Sequence, residues 1–294
     1  LGVDYRDTNI EQPGYYFGGA APLVAGEYTQ LQIMKFAPAI AFQASQKVSL
    51  GLALHVDYAS LDLRDGNSFN YGFGAQAGLI YRPVDNLSVG LTYVSPQTVD
   101  HENVVDFDGD GDMDKLEMEA PQQAGFGIAY QGGPLLVEAD ARWMNWAGAK
   151  GYEDFDWDDQ WVFGIGAQLE AATNLFLRAG FSYGENPVNE HNGFDGSFSP
   201  TTGFPNSIVN VQGKTLPTYY YETFRIIGFP AVVESHVTLG IGYQFSPKFS
   251  MDLGYVHAFE KTIAETGMDP YGMPVTLEST LSEDSLDFGL TWRF

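Results

Sequence analysis

Period-two alternation of apolar and polar residues recurs along nearly the whole chain, and helical spacing is hard to find. The clearest stretch closes the chain: Leu286, Phe288, Leu290, Trp292 and Phe294 alternate with Ser285, Asp287, Gly289, Thr291 and Arg293. Residues 48–58 repeat the pattern, with Leu50, Leu52, Leu54, Val56 and Tyr58 on one face. Such alternation describes strands with one apolar face. Eleven are predicted, near 30–43, 48–58, 71–82, 87–96, 122–131, 135–145, 160–170, 175–184, 235–245, 249–260 and 285–294, plus a stub at 1–5.

The connections carry more information than the strands. Short joints at 44–47, 83–86, 132–134, 171–174 and 246–248 alternate strictly with long ones at 61–70, 97–121, 146–159, 185–234 and 261–284. All tight turns therefore fall at one end of the sheet and all long loops at the other. A soluble sandwich or propeller has no reason to segregate its loops; a transmembrane antiparallel β-barrel does. Tyr58, Tyr81, Tyr93, Tyr130, Trp143, Trp161, Tyr183, Tyr243 and Trp292 fall at strand ends on the greasy face, as interfacial girdles would. Gln76, Glu138, Asp140, Arg142, Gln168, Arg178, Asp252, His257, Asp287 and Arg293 are assigned to the other, lumenal face.

Composition removes most rivals. With 14 Lys+Arg against 38 Asp+Glu the net charge is −24, which disfavours nucleic acid as a partner. The absence of Cys removes disulfides, thiolate metal sites and thiol nucleophiles. The best apolar run, 226–233, is far short of a spanning helix. No leader precedes Leu1, and the chain reads as starting within an element.

Several segments resemble the FadL/TodX-type outer-membrane transport proteins: VSLGLALHVDYASLDL (48–63), YGFGAQAGLIYRPVDNLSVGLTYVSP (71–96), APQQAGFGIAY (120–130), RWMNW (142–146), NPV (186–188) and the closing DSLDFGLTWRF. The resemblance implies a fourteen-stranded barrel of the Gram-negative outer membrane, plugged by an N-terminal hatch and opened sideways at a kink in an early strand. On that count residues 1–294 form a single barrel domain covering about twelve strands; the hatch, the first two strands and the kinked segment fall outside it. It also implies passive transport of long-chain fatty acids or aromatic hydrocarbons, and no enzyme. The alternative function is surface adhesion through the long acidic loops. Partners implied are the hydrophobic substrate, outer-membrane lipid and lipopolysaccharide, and the barrel-insertion machinery, which would read the terminal Phe294.

Three local signals remain. In the loop 185–234, Lys214, Tyr219, Tyr220, Tyr221, Phe224, Arg225 and Phe229 are candidate ligand contacts, Lys214 or Arg225 pairing with a fatty carboxylate; the same residues could instead pack the loop onto the rim. Asp106, Asp108, Asp110, Gly111, Asp112, Asp114 and Glu117 match the twelve-residue calcium loop D-x-D-x-D-G-x5-E. This is the one ion expected, a structural Ca²⁺; no cofactor is required. The acidic tip 153–159 is either solvated or bridged by cations to lipopolysaccharide. Gly180-Phe-Ser182-Tyr-Gly184 imitates a hydrolase elbow but lacks the helix that motif needs, and none of the histidines, His55, His101, His191, His236 and His257, shows metal-site spacing with another.

Overall fold

A computed structural model of the chain describes residues 2–6, 13–14, 23–24, 28–63, 66–107, 110–228 and 232–293, with side chains from residue 30 onward. Strands β1 (Gly2–Arg6), β2 (Pro13–Gly14), β3 (Leu23–Val24), β4 (Tyr28–Phe36) and β5 (Ala39–Gln43) lead into β6 (Val48–Asp62), β7 (Asn67–Val84) and β8 (Leu87–Val94). A hairpin of β9 (Gln97–Val105) and β10 (Asp114–Ala120) precedes β11 (Gln123–Gly132), β12 (Leu135–Met144), β13 (Gln160–Ala172) and β14 (Leu175–Gly184). The next connection holds β15 (Phe194–Asp195), β16 (Ile208–Val211), β17 (Lys214–Pro217) and helix α1 (Thr218–Thr223), which widens into a π-turn over Phe224–Gly228. β18 (Ser235–Ser246), β19 (Phe249–Met268) and β20 (Pro274–Trp292) complete the chain.

The wall is an antiparallel meander in the order β1-β4-β6-β7-β8-β11-β12-β13-β14-β18-β19-β20, with β5 prolonging β4 along β6. Counting β4 and β5 as one stave gives the twelve expected. Every connection at one end is a tight turn. Register fixes the faces: Leu52, Ala77, Tyr93, Ala124 and Trp143 lie side by side across β6, β7, β8, β11 and β12. On the outward face Phe163 is 51%, Leu239 54%, Leu253 47% and Phe288 64% exposed. So many apolar side chains cannot be left in water, and hydrocarbon is the solvent this surface fits. Tyr81, Tyr130, Tyr243 and Trp292 ring the turn end, and Tyr93, Trp143, Trp161 and Tyr183 the loop end.

Several expectations are corrected. The segments 61–70 and 261–284 are not loops, because β6 runs to Asp62, β7 starts at Asn67, and β19 and β20 stay paired from Phe249↔Trp292 to Met268↔Pro274. The greasy alternation that marks a strand stops where the bilayer stops, whereas the hydrogen-bond ladder continues into solvent. The segment 97–121 is likewise a hairpin rather than a loop. His257 faces outward beside Tyr255, since its register partner is Asp284 on the outward parity of β20.

β4 and β5 pair with β6 in one continuous register, from Phe36↔Val56 to Ala39↔Ala53. Ala37 and Pro38 interrupt the stave between β4 and β5. Leu54 donates its N–H to the Pro38 carbonyl at 3.1 Å. The return bond that antiparallel partners exchange cannot form, because proline has no N–H.

Candidate functional site: a capped barrel mouth

At the loop end the long connections fold onto one another. Beyond Ser95-Pro96 the chain keeps its direction along β7, and β9 shifts onto the inner face of that strand. The wall makes room with glycines: a Cβ on Gly72 would stand 2.8 Å from Val99 Cγ2, and one on Gly74 would stand 2.4 Å from Gln97 Cγ. Asn70 Nδ2 donates to the Asp100 carbonyl at 2.8 Å and Glu102 N–H to Ser68 Oγ at 3.0 Å, pinning the hairpin. Beneath it, next to the break at Pro38, Gln97 Oε1 accepts from Lys35 Nζ at 2.5 Å and meets His55 Nδ1 at 3.2 Å. Lys35 Nζ also lies 3.6 Å from the buried Asp57 carboxylate.

An apolar core joins this hairpin to the other loops. Leu61 and Leu116 are completely buried, and Met118, Phe155, Trp157, Leu216, Tyr221, Phe224 and Ile226 pack with them. Gln212, held at φ 49° at the tip of β16–β17, ties three segments together. Its Oε1 accepts the Glu117 N–H at 2.8 Å, and its Nε2 donates to the Glu117 carbonyl at 2.9 Å and to Asp154 Oδ2 at 2.7 Å.

The ligand candidates of the loop 185–234 are part of this core. Tyr219, Tyr221 and Phe224 are buried, and Tyr220 is half-buried against Phe224. Arg225 is 1% exposed and bound to Glu222 and Glu265, and Lys214 Nζ is 2.6 Å from Asp114 Oδ1. A space of about 10 Å³ lies among Met118, Tyr152, Phe155, Trp157 and Arg225. Tyr219, Tyr221, Phe224 and Arg225 thus pack within the cap, while the Lys214 side chain is 38% exposed; Phe229 lies outside the described residues.

The calcium-loop residues divide. Asp106 accepts the N–H groups of Asp110 at 3.2 Å and Gly111 at 3.0 Å, and Asp110 accepts that of Asp112 at 2.9 Å. Gly111 takes φ +96°, the sharp turn the motif asks of it. Asp114 turns away into the cap, accepting the Phe107 N–H at 2.9 Å beside Lys214. Glu117 sits on β10 between Lys115 and Lys150, which hold its carboxyl below the ordinary range. The structure thus gathers Asp106, Asp110 and Asp112 and leaves Asp114 and Glu117 with ammonium partners; Asp108 lies outside the described residues. At the acidic tip, Asp154, Asp156 and Asp159 serve as internal acceptors for Gln212, His191 and Trp143. Gly180–Gly184 remains inside β14, so no elbow forms.

Below the cap lies the lumen. One cavity of about 510 Å³ is lined by Ala41, Gly51, Gly78, Ile80, Gly90, Thr92, Gly125, Asp140 and Arg142. Another of about 450 Å³ is lined by Glu138, Gly164, Gln168, Arg178, Ser182 and Thr238. Inward glycines let charged side chains lie flat along the wall: a Cβ on Gly242 would stand 2.4 Å from Asp252 Oδ1, and one on Gly164 would stand 2.6 Å from Asp140 Oδ2. Arg178 bridges Gln168 at 2.7 Å and Asp252 at 2.6 Å. The result is an open mid-section of glycine and apolar lining crossed by charged side chains, beneath an apolar lid.

Sequence reasoning missed Gln97, Gln212 and the group around Arg225, because their partners are brought in by loop folding. The inward glycines were visible in 72–78, where Gly72, Gly74 and Gly78 occupy one parity.

The sheet is similar to solved structures of outer-membrane channels. The toluene transporter TodX of Pseudomonas putida superposes with a TM-score of 0.63 at 16% identity, covering 100% of this chain and 76% of that one. A FadL homologue of Pseudomonas aeruginosa gives 0.61 at 15%, covering 98% and 72%. The toluene transporter TbuX of Ralstonia pickettii gives 0.59 at 14%, covering 99% and 75%. No protein-family model and no curated protein matches the chain.

Proposed function

Starting from the FadL/TodX-type barrel fold of this chain, we propose that it is the barrel portion of an outer-membrane passive channel for hydrophobic small molecules, with long-chain fatty acids and aromatic hydrocarbons as the substrate classes. The observation that carries this reading is the inward-folded β9–β10 hairpin, whose Gln97 meets Lys35 and His55 close to the missing ladder bond of Pro38 and Leu54, beneath the apolar core of the cap. An apolar molecule leaving water for that lid gains about 25 cal/mol per Å² of surface buried. The lumen below carries Glu138, Asp140, Arg142 and Arg178 among glycine and apolar lining. A sideways exit into the bilayer at Pro38 is part of the proposal.

Uptake of radiolabelled oleate and toluene by cells bearing the full-length protein tests the reading; failure of both sinks it. The adhesion alternative has no observation in its favour, because the long loops fold on each other. Deleting 185–234 separates the two, since a channel loses uptake and an adhesin loses matrix binding.

The ligand role of the loop 185–234 enters this proposal as entry: Lys214, Tyr219, Tyr220, Tyr221, Phe224, Arg225 and Phe229 would meet substrate only when the cap opens. Calcium enters as a proposed structural ion of 106–117, supported by the motif spacing and by Gly111; it requires Asp114 and Glu117 to exchange their ammonium partners for the ion. Lipopolysaccharide at the acidic tip and recognition of Phe294 by the insertion machinery are proposals of the same standing. Deletion of Phe294, which lies outside the described residues, tests the last by reduced insertion in cells.

A further inference from the structure

Four segments of the cap converge on the buried Arg225. Its Nε donates to the Phe155 carbonyl at 2.8 Å and its Nη2 to the Asn189 carbonyl. Its Nη1 lies 2.6 Å from Glu222 Oε2, 2.8 Å from Glu265 Oε1 and 2.9 Å from His191 Nδ1. Nη1 carries two hydrogens, and three acceptors compete for them. The charges do not balance either: two carboxylates, 3% and 0% exposed, face one guanidinium. Glu265 Oε2 has no hydrogen-bond partner among the described residues.

A metal ion is a poor answer. His191 Nδ1 and one oxygen from each of Glu222 and Glu265 lie within 4.8 Å of one another, but Arg225 Nη1 already occupies the point between them, and a second cation there would be repelled. His191 directs its ring elsewhere: Nδ1 lies 2.9 Å from Arg225 Nη1 and 3.1 Å from Glu222 Oε1, and Nε2 lies 2.7 Å from Asp156 Oδ2, so its side-chain carboxylate partners are Glu222 and Asp156, and it meets Glu265 through its backbone N–H.

We propose that Glu265 holds the proton that completes this cluster, and that losing it as the pH rises unlatches the outer cap from the barrel wall. Glu265 belongs to β19, whereas Glu222 and Arg225 belong to the helical turn and Asp156 and His191 to two other loops. One protonated carboxyl therefore fastens three loop segments to a strand that runs down through the membrane. A second carboxylate charge would leave the buried cluster with a net negative charge and set Glu265 against Glu222.

Burial raises the Glu265 carboxyl above its ordinary range, and Glu222 adds to this; the backbone N–H of His191 and the Arg225 guanidinium act the other way. A raised acid contributes stability at low pH that is lost as pH climbs through its shifted value. Of the remaining groups facing the cluster, Tyr221 stacks 5.5 Å from the guanidinium and its phenol is pushed up by burial, so it stays neutral. The register partner of Glu265 on β20 is the uncharged Leu277.

Amide hydrogen exchange of the full-length protein in lipid nanodiscs, corrected for intrinsic rates, tests this. Between about pH 5 and about pH 9, protection of 218–228 in the wild type should fall by about an order of magnitude. Glu265→Gln, a neutral isostere, should hold acid-like protection throughout. A flat wild-type profile, or a dependence that persists in Glu265→Gln, overturns the proposal. Should that variant fail to insert, infrared difference spectra of the wild type decide: a buried carboxylic-acid carbonyl band that disappears as pH rises supports the latch, and its absence refutes it. The link to gating rests on the transport reading, but neither measurement uses substrate, so failed uptake and a failed latch remain distinguishable.

Discussion

Gly74 on the barrel wall and Gln97 on the inward hairpin lie so close that a Cβ on the glycine would meet Gln97 Cγ at 2.4 Å. The wall is thinned where the lid must rest. Replacing Gly74 by Leu should lift β9–β10 off β7 at a cost of about 1–3 kcal/mol, the usual penalty for overpacking. The barrel itself should survive, because the new side chain projects into the lumen side. Limited proteolysis reads this: cleavage within 97–120 should speed up while heat-modifiable mobility on gels is unchanged. Equal cleavage rates would show that the contact is not a determinant of the lid.

Pro38 denies Leu54 the return hydrogen bond of its pair. Pro38→Ala restores a donor worth about 1 kcal/mol, enough to lower the population of an open gap several-fold. Oleate or toluene uptake should fall accordingly, with unchanged amounts of protein in the membrane. Undiminished uptake would place the exit elsewhere.

His101 is completely buried. Burial lowers its pKa from 6.5 to about 4, against smaller opposing contributions from the Ser68 backbone and the Asp100 charge. The sign is opposite to that of Glu265: the unfolded hairpin binds the extra proton first, so stability is full above 6.5 and declines as pH falls towards 4. The loss amounts to about 3 kcal/mol. His101→Leu should abolish acid loosening of 97–120 in exchange measurements, and acid loosening retained in that variant would assign it to other groups.

For calcium, the chain's own ammonium groups are the competitors. If the ion binds 106–117, Lys150→Met should tighten it by removing a rival for Glu117, and Asp106→Ala with Glu117→Ala should abolish it. Calorimetry on the full-length protein gives the answer, and an absence of calcium-dependent heat at millimolar ion discards the site.

Alternation in sequence was sufficient to specify the wall, because a strand between lipid and lumen must present one apolar and one polar or small face at every second residue. Leu286 to Trp292 can satisfy both solvents in only one orientation. The segregation of short and long joints likewise specified which end of the wall carries the tight turns and which the long connections. Beyond the bilayer that rule lapses: Glu265 and Leu277 are paired in the same ladder as Leu253 and Phe288, yet no solvent boundary marks them in the sequence. The fate of Arg225 was equally hidden. As a residue it suits a fatty carboxylate as well as it suits Glu222 and Glu265, and only the folding of three loop segments onto β19 decided which carboxylates reach it.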